Sequence, residues 1–139
     1  MDTDVVLAKL DSLQRRVSRI EEKTPSNVEV LKDDYDIQDI ISLNLERAVQ
    51  ISVDIAAHIL STKDISTPAT MGETFTALSE VDVVSTELAE RLRKAVGFRN
   101  ISVHEYQKID WEIVFSICTK HMKGFREYAA GVLAYYDID

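Results

Sequence analysis

The chain has 139 residues, 45% of them apolar, and a net charge of −8. That length suits one domain, which we place at residues 1–139, and the apolar share is enough for a proper core, so global disorder is excluded. A single cysteine, Cys118, excludes an intrachain disulfide or a cysteine metal cluster, and the scarcity of Gly (four) and Pro (two) favours long uninterrupted helices.

Residues 2 to 23 place Val6, Leu10, Leu13, Val17 and Ile20 at intervals of three and four, which predicts one apolar helix face. Thr24-Pro25-Ser26-Asn27 ends that helix, and a short helical turn is predicted over Val28 to Lys32. Asp33, Asp34 or Asp36 caps a long helix from about Tyr35 to Thr62. Its broad stripe, from Ile37, Ile41 and Leu45 to Ile55 and Ile59, predicts burial against more than one neighbour. Lys63 to Gly72 reads as a loop, and about Glu73 to Glu80 as a short helix. Ser85 caps the next long helix, which carries Leu88, Leu92, Val96 and Val103 inward. The last helix runs from about Trp111 to Tyr136, with Ile113, Val114, Ile117, Cys118, Phe125, Tyr128, Ala129 and Leu133 as its stripe. Strand-like alternation is weak throughout. The expected fold is all-α, an up-and-down bundle of four long helices plus one or two short ones.

The acidic start, Met1-Asp2-Thr3-Asp4, lacks the basic residues and apolar run of a secretion signal. The longest uncharged run, Tyr128 to Tyr136, is too short to span a bilayer. A soluble cytoplasmic protein without membrane contact is expected.

The stretch Gly97-Phe98-Arg99-Asn100-Ile101-Ser102-Val103-His104-Glu105-Tyr106 concentrates the chemistry of the chain. Arginine holds phosphate charge and histidine moves protons near neutral pH, the two tasks of a metal-free phosphodiester cleavage. Between Arg91 and Lys108 stand five cations (Arg91, Arg93, Lys94, Arg99, Lys108) and one anion, Glu105, so a basic island sits in a chain whose remainder carries −12. On an ideal helix Arg93, Gly97, Asn100, His104 and Lys108 share a sector of roughly 80°, whereas Arg99 lies roughly 140° from His104 and beside Tyr106. Either the helix loosens near Ser102, or two copies of the segment face each other and complete one site. The plain alternative is a set of surface residues on an amphipathic helix.

Other candidates are thinner. Asp54 and His58 stand four apart on one helix and are placed to hydrogen-bond. Cys118 and His121 alone make no zinc site. No Glu-x-x-His occurs, because Ile55, Ile101 and Cys118 precede the three histidines by three, and no phosphate-binding glycine loop or nucleophile elbow is present. Trp111, Tyr128, Tyr135 and Tyr136 offer rings for base stacking, or for the core and interfaces.

Arg99-Asn100-x-x-x-His104-x-Tyr106 resembles the R-x4-6-H signature of HEPN-domain ribonucleases, in the R-x4-H-x-Y version of HepT-like toxins. The polar residue after the arginine fits that family, and the stretches Leu43 to Arg47 and Asp54 to Ile59 look like its long second helix. The resemblance implies a homodimer with a composite cleft and metal-independent cleavage of tRNA or mRNA by the ribose 2′-OH, leaving a cyclic phosphate, with no cofactor. His104 would be general base or acid, Arg99 would hold the scissile phosphate, and Asn100 would orient the imidazole or a phosphate oxygen. Arg93 and Lys108 are candidates for further RNA-phosphate contacts. Tyr106 would receive AMP from a minimal nucleotidyltransferase antitoxin, which silences the toxin. The alternative is a non-catalytic HEPN-like module that binds a nucleotide or the nucleotidyltransferase partner. A purely structural helical dimer is a third reading.

Overall fold

The computed structural model describes residues 3–137, so the helix start expected at Asp2 and the last two residues of the proposed domain lie outside it. Every regular element among the described residues is helical. α1 (Thr3–Lys23) buries the predicted Val6, Leu10, Leu13, Val17 and Ile20. The Thr24 hydroxyl closes it by donating to the Ile20 carbonyl over 2.7 Å. α2 (Val28–Asp33) is one turn capped by Asn27.

α3 (Tyr35–Leu60) starts where the Asp34 carboxylate accepts the Ile37 N–H over 3.1 Å, so Asp34 is the cap among the three candidates. It packs against α1, α2, α4 and α5, which accounts for its wide apolar stripe. Three buried polar residues on α3 are satisfied locally. Gln38 donates to the carbonyls of Leu31 and Lys32, Asn44 to that of Ile40, and Ser52 to that of Ala48. Pairing of this kind removes most of the cost of burying an amide or hydroxyl.

α4 (Met71–Glu80) begins two residues earlier than expected, because Thr70 caps it. Asp82, at φ 62°, makes the left-handed turn that leads to α5 (Thr86–His104), capped by Ser85. A 3₁₀ turn follows over Tyr106–Lys108. The last long helix departs from expectation: α6 (Trp111–Ser116) and α7 (Lys123–Tyr135) are joined by a π turn over Ile117–His121. The wider turn keeps Val114, Cys118, Met122, Phe125, Tyr128 and Val132 all buried, while Ile113, expected inside, is exposed.

Counting α6, the π turn and α7 as one rod, the bundle has the expected four long and two short helices. Its core centres on Tyr128, which meets Phe75 edge to face at 5.9 Å and donates its hydroxyl to the Ser52 carbonyl over 2.7 Å. Among the described residues, no helix is long and apolar enough to cross a membrane.

Candidate active site

α5 carries the candidate residues, and its two halves bury different faces. Leu88, Ala89, Leu92 and Val96 are buried in the first half, Phe98 and Ser102 in the second. At 100° per residue the buried direction turns by roughly 115° between the two sets. The change of neighbour explains this: α5 packs on α4, α7 and α3, and Ser102 donates its hydroxyl to the Glu46 carboxylate of α3. Val103, expected to continue the Leu92–Val96 face inward, is exposed because α5 has changed its buried side by that point.

α5 is α-helical without interruption through Ser102 to His104. Loosening near Ser102, one of the two options that would reconcile Arg99 with His104, does not occur. The regular helix keeps the two about 140° apart. Arg99 is half-buried, and its Nη1 donates to the Asn100 Oδ1 over 3.4 Å, a long and weak bond. Asn100 and His104 are exposed. A Cβ built on Gly97 meets nothing within 4 Å, so space is open above the helix beside these side chains. Leu43, Ile101 and Val103 are large apolar residues exposed around the same end of α5 and the facing part of α3.

The helix ends at His104, where the Glu105 N–H donates to the Ile101 carbonyl over 2.8 Å. Tyr106 and Lys108 therefore do not extend the faces that an unbroken helix would give them. Lys108 turns back to Glu105, Nζ to Oε1 3.0 Å. Tyr106 turns onto α3, where its hydroxyl donates to the Asp39 Oδ1 over 2.7 Å, and its ring meets Trp111 edge to face at 6.0 Å. Burial pushes the Tyr106 phenol up, the Asp39 hydrogen bond and the charges of Asp39 and Glu46 push it further, and Ser42 opposes them. Arg93 lies over α4 instead, donating to the Thr76 hydroxyl over 3.2 Å, and stands about 16 Å along the axis from His104.

The Asp54–His58 pair does not form. Asp54 accepts from Gln50 over 2.9 Å and faces Lys9 at 3.8 Å, while the buried Nε2 of His58 has no hydrogen-bond partner. Cys118 is buried in the π turn, and burial pushes its thiol up to about 11. Of the aromatic candidates, Tyr128 belongs to the core and Tyr135 and Tyr136 stack edge to face on each other at 5.0 Å. The spacing within α5 does not point to α3; the signal for its contribution is the run of Asp39, Ser42 and Glu46 at intervals of three and four, a polar line on a largely apolar helix.

Residues 13–132 match the family model described as Ribonuclease HepT-like. The chain is 30% identical over 125 residues to the mRNA nuclease HepT of Shewanella oneidensis, covering 90% of this chain and 93% of that protein. It is 24% identical over 131 residues to the tRNA nuclease HepT of Aphanizomenon flos-aquae, covering 94% and 89%. Among solved structures, the tri-AMPylated Shewanella oneidensis HEPN toxin in complex with MNT antitoxin superposes with a TM-score of 0.88 at 30% identity, over 96% of this chain and 99% of that one. The helical bundle, the signature on α5 and matches across nearly the whole length agree, and the chain belongs to the HepT-like ribonuclease family.

Proposed function

We propose that this protein is the toxin of a toxin–antitoxin pair, a single-domain endoribonuclease that works as a homodimer on tRNA or mRNA and is silenced by AMP transfer to Tyr106. The observation that carries the reading is the end of α5. An uninterrupted helix points Arg99 and His104 apart, Ile101 and Val103 between and beside them are exposed, as is Leu43 on α3, and space is open at Gly97. A second copy packed on that face covers the apolar residues and brings one segment's arginine towards the other's histidine.

In such a cleft Arg99 holds the scissile phosphate and the charge that grows on it. His104 moves the proton: its imidazole takes it from the ribose 2′-OH and returns it to the leaving 5′ oxygen. The product end is a 2′,3′-cyclic phosphate. Asn100, one turn before His104, orients an imidazole or a phosphate oxygen. The carboxylates of the rest of the chain repel RNA elsewhere, which focuses it on the basic island. Of the further phosphate candidates, Lys108 is near but paired with Glu105, and Arg93 reaches only RNA that extends along α5.

The relatives supply the partner. The Shewanella toxin is AMPylated and bound to an MNT antitoxin, and Tyr106 of this chain stands two residues after His104 with its hydroxyl at the surface. An adenylyl phosphate there competes with RNA for Arg99. The test is cleavage of RNA by the purified chain without its partner, in EDTA. Wild type cuts and leaves cyclic ends, and His104→Ala does not. Equal cutting by both removes His104 from the mechanism.

A further inference from the structure

The signature segment has a partner within its own chain. Asp39, Ser42 and Glu46 lie at intervals of three and four on α3, along one face. Glu46 accepts from the buried hydroxyl of Ser102, and Asp39 accepts from Tyr106 across 67 residues of sequence. The tyrosine is held at several points. Its ring and that of Trp111 meet edge to face. Its carbonyl accepts the N–H of buried Ile109 over 3.1 Å, which pins the 3₁₀ turn. Its hydroxyl ends on Asp39 at 2.7 Å. Asp39 and Tyr106 are nevertheless both exposed, so the hydrogen bond between them lies at the surface.

A neutral phenol is a poor nucleophile, and its proton must leave as the new bond forms. The surroundings of Tyr106 oppose early ionisation: the ring is partly desolvated, and Asp39 and Glu46 place negative charge beside the oxygen. The proton is therefore removed during attack, by a group already in contact with it. The Asp39 carboxylate meets that requirement, since a general base has to lie within hydrogen-bond reach of the proton it takes.

We propose that Asp39 is the general base and anchor for nucleotidyl transfer onto Tyr106, a base supplied by the acceptor chain itself. This rests on the reading of Tyr106 as the residue that receives AMP. In the step, the Tyr106 oxygen forms a bond to the α-phosphorus of a nucleoside triphosphate. The bond from that phosphorus to the bridging oxygen breaks, pyrophosphate leaves with the electron pair, and the phenol proton passes to Asp39 and on to water. Asp39→Asn separates the two roles, because the amide oxygen still accepts the hydrogen bond but takes no proton.

The experiment measures initial rates of AMP incorporation into the full chain by its nucleotidyltransferase partner with ATP, from pH 6.5 to 9, with Tyr106→Phe as the blank. Asp39→Asn is expected to lower kcat at neutral pH by about a hundredfold, the low end of general-base effects, with KM for the toxin unchanged. Its rate relative to wild type should climb with pH, as a small but growing fraction of the phenol ionises unaided. Asp39→Glu, which restores a carboxylate, should regain most of the rate. RNA cleavage and the unfolding midpoint of unmodified Asp39→Asn should match wild type. A wild-type rate and pH profile in Asp39→Asn, or a loss confined to KM, overturns the proposal and leaves Tyr106 as acceptor intact. Absence of AMP on wild type itself removes the acceptor reading, and the role of Asp39 with it.

Discussion

The core around Tyr128 and the surface around Tyr106 use the same donor in opposite settings. Each tyrosine gives its hydroxyl to an acceptor on α3 at 2.7 Å. Tyr128 is wholly buried and its acceptor is a main-chain carbonyl held inside a helix, so the bond fixes one packing arrangement and the proton has no route out. Tyr106 is exposed and its acceptor is a carboxylate, so the bond orients the phenol and also offers its proton a destination. The same contrast holds for the helices around them. α1 commits one continuous stripe to the core, whereas α5 changes its buried face and ends with Ile101, Val103 and His104 in the open. A face left apolar, charged and uncovered at the end of a helix is suited to an interaction, and a stripe sealed on its neighbour serves stability.

The largest effects should separate those two regions. His104→Ala is expected to lower RNA cleavage by about 10²–10⁴-fold. It should leave the thermal unfolding midpoint in place, since the side chain is exposed. Mixing inactive His104→Ala with inactive Arg99→Ala should restore cleavage, because one cleft of a mixed dimer keeps both an intact arginine and an intact histidine. A mixture as dead as its components would return the site to a single chain. Leu13→Ala, at the buried centre of α1, should do the reverse. Urea unfolding should show a loss of about 2–5 kcal/mol, while cleavage per folded molecule is unchanged.

What could be read before the structure divides along the same line. The α1 stripe, the Ser85 cap and the long α3 follow from local spacing and capping chemistry, and each lies where it was expected. The apolar period places Val103 and Ile113 inside and both are exposed, because a helical period shows which residues share a face and not where the covering neighbour ends. The π turn over Ile117–His121 leaves the apolar spacing nearly unchanged, so the pattern carries no mark of it. In the site, Arg99, Asn100, His104 and Tyr106 are adjacent in sequence and therefore visible together. Asp39 reaches Tyr106 and Glu46 reaches the neighbouring Ser102 only through tertiary contact, from helix positions 67 and 56 residues away, and no local rule links such pairs.

A smaller effect tests how firmly the two regions are joined. Ser102→Ala deletes the one side-chain hydrogen bond from the second half of α5 to Glu46. It should cost about 1 kcal/mol in urea unfolding, near the mean for a single hydrogen bond, with more expected if Glu46 stays desolvated. Loss of cleavage well beyond the loss of stability would show that the bond aligns α5 for catalysis. Loss in proportion would make it purely structural.

The smallest effect is at alkaline pH, where the two tyrosines should differ in degree. Burial pushes both phenols up, and Tyr128 is sealed in the core while Tyr106 is exposed. A phenol whose pKa is raised by folding stabilises the folded chain fully below its unfolded value, about 10, and that contribution is lost as pH rises from there through the folded pKa. The sign follows because the unfolded chain releases its proton first. Stability should therefore fall above pH about 10 in wild type. Tyr128→Phe should be weaker at neutral pH by about 1 kcal/mol, for the lost bond to Ser52, and should show a clearly flatter alkaline decline. Tyr106→Phe should flatten that decline only slightly, because water reaches its ring. Urea midpoints between pH 7 and 11 measure both, with the pH range set to span the unfolded phenol value of about 10. Equal flattening by the two variants would mean that Tyr106 is as sealed as Tyr128, and a phenol so sealed could not be an acceptor for a nucleotide.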